Sequence, residues 1–367
     1  MTERSKDQKL PPVWLVKAIN CFRTSLLFLN RKLFPGKVVL YEQFQYLWLL
    51  PSLYVAAKLD IAGCLNDSPM TSEEIAGRVS AHPPYIFRLL RALSSQGIFK
   101  QNPDGRFAIN ALAKGLLDEP GSLRHMILHH LGPVNWNLMG NLEYAIRTGN
   151  DAFSDKYGKG IYDYLRDHPD ESVLFDKSMS DLSSLGLAPI IKAYNFSGYP
   201  VIADLGGGEG FLLANILWKN PGCKGILYDL PEALEKANDM LCRYRVQDRV
   251  QVVPGDFFKS VPADADLYLL KNVIHNWSDE QSSVLLSNIN KVIGQNARLI
   301  LIEMVIPAGN RPSLGKLIDI QMMATLKGAK ERTGTEYRSL LEKSGFTLLG
   351  IIPTIAPICL IEAKKRD

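Results

Sequence analysis

Apolar positions fall into three regimes along the chain. Residues 12–35 place Trp14, Ile19, Phe22, Leu26 and Leu29 three to four apart, with Lys17, Arg23, Arg31 and Lys32 between them, which predicts one basic amphipathic helix. From Tyr41 to Leu187 the periodicity stays helical with little strand signal. Within it, Thr71-Ser72-Glu73-Glu74 reads as a capped helix start, 84–93 as a second helix, and 97–99 with 106–109 as a hairpin around Pro103-Asp104-Gly105. Helix, helix and two-stranded wing make a winged-helix outline. After Tyr199-Pro200, β-rich runs at 201–205, 225–229, 250–253, 267–270, 298–303, 347–352 and 355–363 alternate with helical stretches, predicting a doubly wound, mainly parallel sheet. Ligands of such sheets bind beyond the carboxyl ends of the strands, so functional residues are expected where strands stop.

Composition narrows the class without changing the outline. With 367 residues, 46% hydrophobic and 22% charged, the chain fits a two-domain globular protein. Five cysteines without a CxxC spacing encode neither a disulfide framework nor a zinc site, so no metal is expected. The polar start and the short apolar run 44–57, interrupted by Pro51, predict neither a secretory signal nor a membrane span, and a cytoplasmic location follows. Residues 1–40 hold eight Lys/Arg against two Asp/Glu, a charge of +6, leaving −2 for the rest. The helix over 12–35 suits peripheral contact with a membrane surface, or packing on a partner subunit or on its own domain. Nucleic acid is not expected, because the second helix of the winged outline offers only Arg88 and Arg91.

Chemistry concentrates after the first strand of the second half. Val201-Ile-Ala-Asp204-Leu-Gly206-Gly-Gly208-Glu209-Gly210 runs from an apolar strand into a glycine turn and an apolar helix. Asp229 ends the next strand at a spacing suited to ribose hydroxyls, and Asp256 with Phe257 follows the third. Asp204 and Glu209 make this turn a poor cradle for a pyrophosphate and a good one for a cation. S-adenosylmethionine, with a sulfonium, an ammonium and no phosphate, fits better than a dinucleotide.

At this point the chain resembles the S-adenosylmethionine-dependent O-methyltransferases of the plant caffeic acid and acetylserotonin type and their bacterial relatives. The matching segments are Asp204–Gly210, Asp229-Leu230-Pro231, Gly255-Asp256-Phe257-Phe258, Leu270 through Asp279 with His275, Glu303 through Pro307, and Lys330-Glu331-Arg332-Thr333. The resemblance implies an α/β fold: a Rossmann-like class I methyltransferase domain over 188–367, preceded by a mainly helical winged-helix dimerisation domain over 41–187 and the extension 1–40. It also implies a homodimer. Carried over by position, Asp204, Gly206 and Gly208 hold the methionine end of the cofactor and Asp229 with Leu230 its ribose. Asp256 and Phe257 take the adenine, and Lys271 and Ser183 the carboxylate. His275 matches the catalytic base and Glu303 and Glu331 the acids flanking it. Trp136, Met179, Asn276, Met322, Met323 and Leu326 fall at acceptor positions.

The chemistry supports that reading of the base. A phenol of pKa near ~10 is ionised in about one molecule in a thousand at pH 7, a deficit of roughly 4 kcal/mol that an imidazole can help offset. A hydrophobic aromatic or conjugated hydroxyl compound is therefore the expected acceptor. Asn276 stands where plant enzymes usually carry Asp, and Leu182, Thr325 and Leu326 make the pocket more apolar than in lignin-pathway enzymes. Competing classes are C-methylation or other non-O-methylating chemistry on the bound cofactor, and a catalytically silent regulator that binds S-adenosylmethionine or DNA.

Overall fold

The computed structural model describes residues 10–119 and 121–366; the first nine residues of the predicted extension lie outside the described residues. Two compact units are present. One comprises the chain up to Cys21, Asn141–Ile161 and everything from Gly186, and the other comprises Phe22–Gly140 and Tyr162–Leu185.

The second unit is helical. Thr71 caps the helix Ser72–Val79 through a full capping box, its hydroxyl accepting from the Glu74 N–H while the Glu74 carboxylate accepts from the Thr71 N–H at 2.7 Å. The next helix, Pro83–Ser95, turns Ile86, Leu90 and Leu93 inward, where they join Ile61, Ile75, Phe99 and Phe107 in one core. The hairpin pairs β1 (Lys100–Gln101) with β2 (Phe107–Ala108). Its first strand starts later than the expected 97–99, because Phe99 adopts φ 68° and turns its ring into the core at 1% exposure. Met70 bridges Phe107 from the other side and completes the wing.

The first unit is built on β3 (Val201–Leu205), β4 (Lys224–Asp229), β5 (Val250–Pro254), β6 (Leu267–Lys271), β7 (Arg298–Ile306), β8 (Arg332–Thr333), β9 (Phe346–Pro353) and β10 (Ile358–Lys365). The order is β5-β4-β3-β6-β7-β10-β9, with β8 paired to the end of β7. Strands β3 to β7 are parallel, and β10 is antiparallel to both its neighbours. Successive residues alternate between the two faces: Ala203 and Leu205 pack into one apolar layer and Ile202 into the other, as do Leu299 and Leu301 against Ile300 and Ile302. The chain reverses direction across the sheet between β3 and β6, so loops after β3, β4, β5 and β6 meet at one edge.

Two expected boundaries shift. The division expected at 187/188 comes at 185/186, inside one continuous helix, Pro169–Ala193. Residues 141–161, expected in the helical domain, group with the sheet unit because the helices Leu142–Thr148 and Ala152–Tyr157 pack on the helix Leu314–Thr325. The predicted amphipathic helix is present as Val13–Leu33, and none of its residues is buried. Val13, Leu15 and Val16 are half-buried, and the rest of the helix is exposed.

Candidate active site

The glycine turn follows from backbone geometry. Gly206, Gly208 and Gly210 all have positive φ, a region that costs other L-residues roughly 1–2 kcal/mol. A Cβ on Gly206 would stand 2.9 Å from Val273 Cγ2 and 3.6 Å from the Phe257 ring. The loops after β3, β5 and β6 therefore touch here.

Asp229, at the end of β4, braces the turn: its carboxylate accepts from Gly208 N–H at 2.8 Å and Leu230 N–H at 2.7 Å. A carboxylate has about four acceptor positions, so this brace leaves capacity for a ligand. Asp204 is 1% exposed and its Oδ2 has no partner among the described residues. Burial pushes its pKa up to about 7, with Lys271 pulling it down and Asp229 adding to the rise. An orphaned buried carboxylate oxygen beside a glycine turn fits an ammonium or sulfonium group, as the sequence predicts. Glu209, the other turn acid, faces Lys236 at 3.8 Å.

Asp256 turns back on its own loop, accepting from Phe258 N–H at 2.9 Å and pairing with Lys259 at 3.4 Å. Phe257 meets Phe258 and Trp277 edge to face, giving an aromatic wall beside Gly206. Lys271 ends β6 half-buried; burial lowers its ammonium's pKa, and Asp204 and Glu303 oppose that.

The chain after Lys271 bends at Asn272, with φ 53°, into the short turn Ile274–Asn276 that carries His275. In the β6–β7 register Lys271 faces Ile302, so Glu303 lies one residue beyond the last pair and reaches that turn. Its Oε1 accepts from Val273 N–H at 3.0 Å and Ile274 N–H at 2.8 Å. His275 Nδ1 is 2.8 Å from Glu331 Oε1 and 3.9 Å from Glu303 Oε2. Both acids are buried, and each keeps one oxygen without a hydrogen-bond partner among the described residues. Burial lowers the His275 pKa, but the Glu303 charge and the Glu331 hydrogen bond outweigh it and leave the imidazole above its ordinary value.

Three residues that the sequence did not single out hold this arrangement. Arg332 is fully buried and donates to the carbonyls of Ile274 at 3.0 Å and Trp277 at 2.8 Å, and it grips Asp279 through Nε and Nη2. Lys330 adds an ion pair to Asp279 at 2.8 Å, and its N–H donates to the His275 carbonyl at 2.9 Å. Asp319 accepts the Glu331 N–H at 2.8 Å. The usable signal was the alternation of charges in Lys330-Glu331-Arg332, which in isolation reads as a solvated surface.

The acceptor-side residues divide between the units. Asn276 donates to the Asn272 carbonyl at 3.2 Å, bracing the turn. Met322 and Met323 are half-buried on the helix Leu314–Thr325, and Leu326 follows its end. Trp136, Met179 and Ser183 belong to the helical unit, Trp136 on Pro133–Gly140 at 39% exposure and the other two half-buried on Pro169–Ala193. Among the described residues no cluster of His, Cys, Asp and Glu is arranged to hold a metal ion.

Known proteins match both halves of the chain. Residues 139–347 match the model of the O-methyltransferase domain and residues 41–119 that of the O-methyltransferase dimerisation domain. The chain is 34% identical over 331 residues to the phenazine O-methyltransferase PhzM of Lysobacter antibioticus, covering 90% of this chain and 96% of that protein. The crystal structure of LaPhzM aligns with a TM-score of 0.84 at 34% identity, over 90% of this chain and 100% of that one. Human N-acetylserotonin methyltransferase in complex with SAM aligns at 0.83 and 25% identity, over 91% and 99%.

Proposed function

The chain belongs to the O-methyltransferase family and is an S-adenosylmethionine-dependent O-methyltransferase, and from that premise we propose that His275 is its general base and a hydrophobic aromatic or conjugated hydroxyl compound its acceptor. The observation that carries this is the 2.8 Å contact between His275 Nδ1 and the buried Glu331. A neutral imidazole that donates from Nδ1 presents its lone pair at Nε2, and that nitrogen takes the acceptor proton. Glu331 then stabilises the imidazolium, while Glu303 and Arg332 hold the backbone of the turn from opposite sides.

The cosubstrate supplies an electrophilic methyl group when bound. Asp204, Gly206 and Gly208 hold its charged end, Lys271 its carboxylate, Asp229 with Leu230 its ribose, and Asp256 with Phe257 its adenine. Ser183 is assigned to the carboxylate, and Trp136 and Met179 to the acceptor, from the family resemblance alone. Asn276, Met322, Met323 and Leu326 complete the acceptor-side set with one amide and three apolar groups. The relatives' names support an aromatic acceptor, since they specify a phenazine and N-acetylserotonin. Two copies of the chain join through the dimerisation domain.

The test is His275→Gln with S-adenosylmethionine and a panel of hydroxylated polycyclic aromatics, products located by mass spectrometry. Turnover is expected to fall about 10²–10⁴-fold, with S-adenosylhomocysteine affinity unchanged. Undiminished turnover in the variant overturns the assignment of the base.

A further inference from the structure

The helix Val13–Leu33 precedes the matched dimerisation domain and takes no part in the site above. Leu15, Ile19, Phe22, Leu26, Leu29 and Leu33 alternate at spacings of four and three, so they share one face. From Ile19 onward that face is exposed, Phe22 by 64% and Leu33 by 67%, while Leu15 is half-buried. An exposed apolar stripe of this length marks an interaction surface.

Charge decides what covers it. From residue 10 to residue 41 the chain carries five basic residues and no acidic one. Arg23 and Lys32 lie about a quarter-turn to either side of the apolar stripe, and Lys17 and Arg31 lie opposite it, by the ~100° advance per residue of an α-helix. Pairing this helix with its own copy would set like charges along the flanks of the seam with no carboxylate in the segment to answer them. An anionic lipid surface answers the two on the flanks. It accepts the apolar face among the acyl chains while the long Arg23 and Lys32 stems reach up to the phosphates. No described helix is long and apolar enough to cross a membrane.

We propose that Val13–Leu33 lies in the plane of a membrane surface rich in anionic phospholipid and docks the enzyme there. This inference does not rest on the identity of the acceptor or on His275. A basic residue near an anionic leaflet contributes about 1 kcal/mol, or about fivefold in partitioning.

The experiment is co-sedimentation of the full chain with phosphatidylcholine vesicles with and without phosphatidylglycerol, beside light scattering and S-adenosylhomocysteine binding. Binding is expected on the anionic vesicles and is lost with added salt. Arg23→Gln with Lys32→Gln weakens it about 30-fold, and Phe22→Ser with Leu26→Ser abolishes it, with oligomeric state and S-adenosylhomocysteine affinity intact. Equal binding to neutral vesicles, or no binding at all, overturns the proposal. Dissociation of the oligomer by Phe22→Ser with Leu26→Ser also overturns it and gives the face to a second copy of the chain.

Discussion

Replacing Glu331 with Gln keeps an acceptor at 2.8 Å from His275 Nδ1 and removes one charge. Both side chains are shielded, at 17% and 1% exposure, so water and salt screen the interaction weakly. A full opposite charge at this range is worth about 1–3 pKa units, or roughly 1.4–4 kcal/mol. The imidazole pKa lies above its ordinary value because of this partner and Glu303. In the variant the acid limb of kcat/KM is therefore expected to move toward lower pH. The same charge stabilises the imidazolium that forms as the proton moves, so the plateau falls as well, by up to the corresponding ~10–1,000-fold. A rate profile from pH 5 to 9 for both proteins reads both effects, and the His275 imidazole resonance followed by NMR reads the first directly. A collapsed plateau with an unmoved limb refutes the electrostatic argument and reduces Glu331 to a steric support.

Three further outcomes are expected. The Asp204 pKa is raised from 3.8 to about 7 in the folded state; stability is then fully present below 3.8 and lost as pH rises toward 7, so Asp204→Asn gains up to ~4 kcal/mol at pH 8 and little at pH 4 in urea unfolding. Equal gains at both pH values contradict this, while weaker S-adenosylhomocysteine binding by Asp204→Asn is expected throughout. Arg332→Met strips donors from the Ile274 and Trp277 carbonyls and is expected to cost about 2–5 kcal/mol in thermal or chemical unfolding; a cost below about 1 kcal/mol would mean that the turn holds itself. Gly206→Ala meets a φ of 72° and a Val273 methyl at 2.9 Å, so cosubstrate affinity measured by calorimetry is expected to fall before stability is badly affected, and unchanged affinity would remove the turn from the cosubstrate site.

Strands were legible where apolar runs are cut by Gly, Pro or Asp, and β3 begins and ends where the pattern does. The hairpin shifted because a left-handed Phe99 is not visible in hydropathy, and an aromatic there reads as strand. Helices 142–148 and 152–157 were placed in the helical domain because amphipathicity gives a face and not the partner that covers it. Glu303 closes the apolar run 298–303 and His275 follows the run 267–270, although β7 itself continues to Ile306. Glu331 lies 56 residues from His275, and local pattern could not join them; the family resemblance did. Arg332 was missed for the same reason, since a buried guanidinium and a solvated one look alike in sequence.

The grip of Lys330 and Arg332 on the His275 turn ties together segments more than fifty residues apart. Closing a loop of that length costs chain entropy that the local helices do not pay. A growing chain that has made its glycine turn and even His275 itself still lacks the clamp that aims the imidazole. The imidazole is thus fully held only once residues 330–332 have docked on the turn.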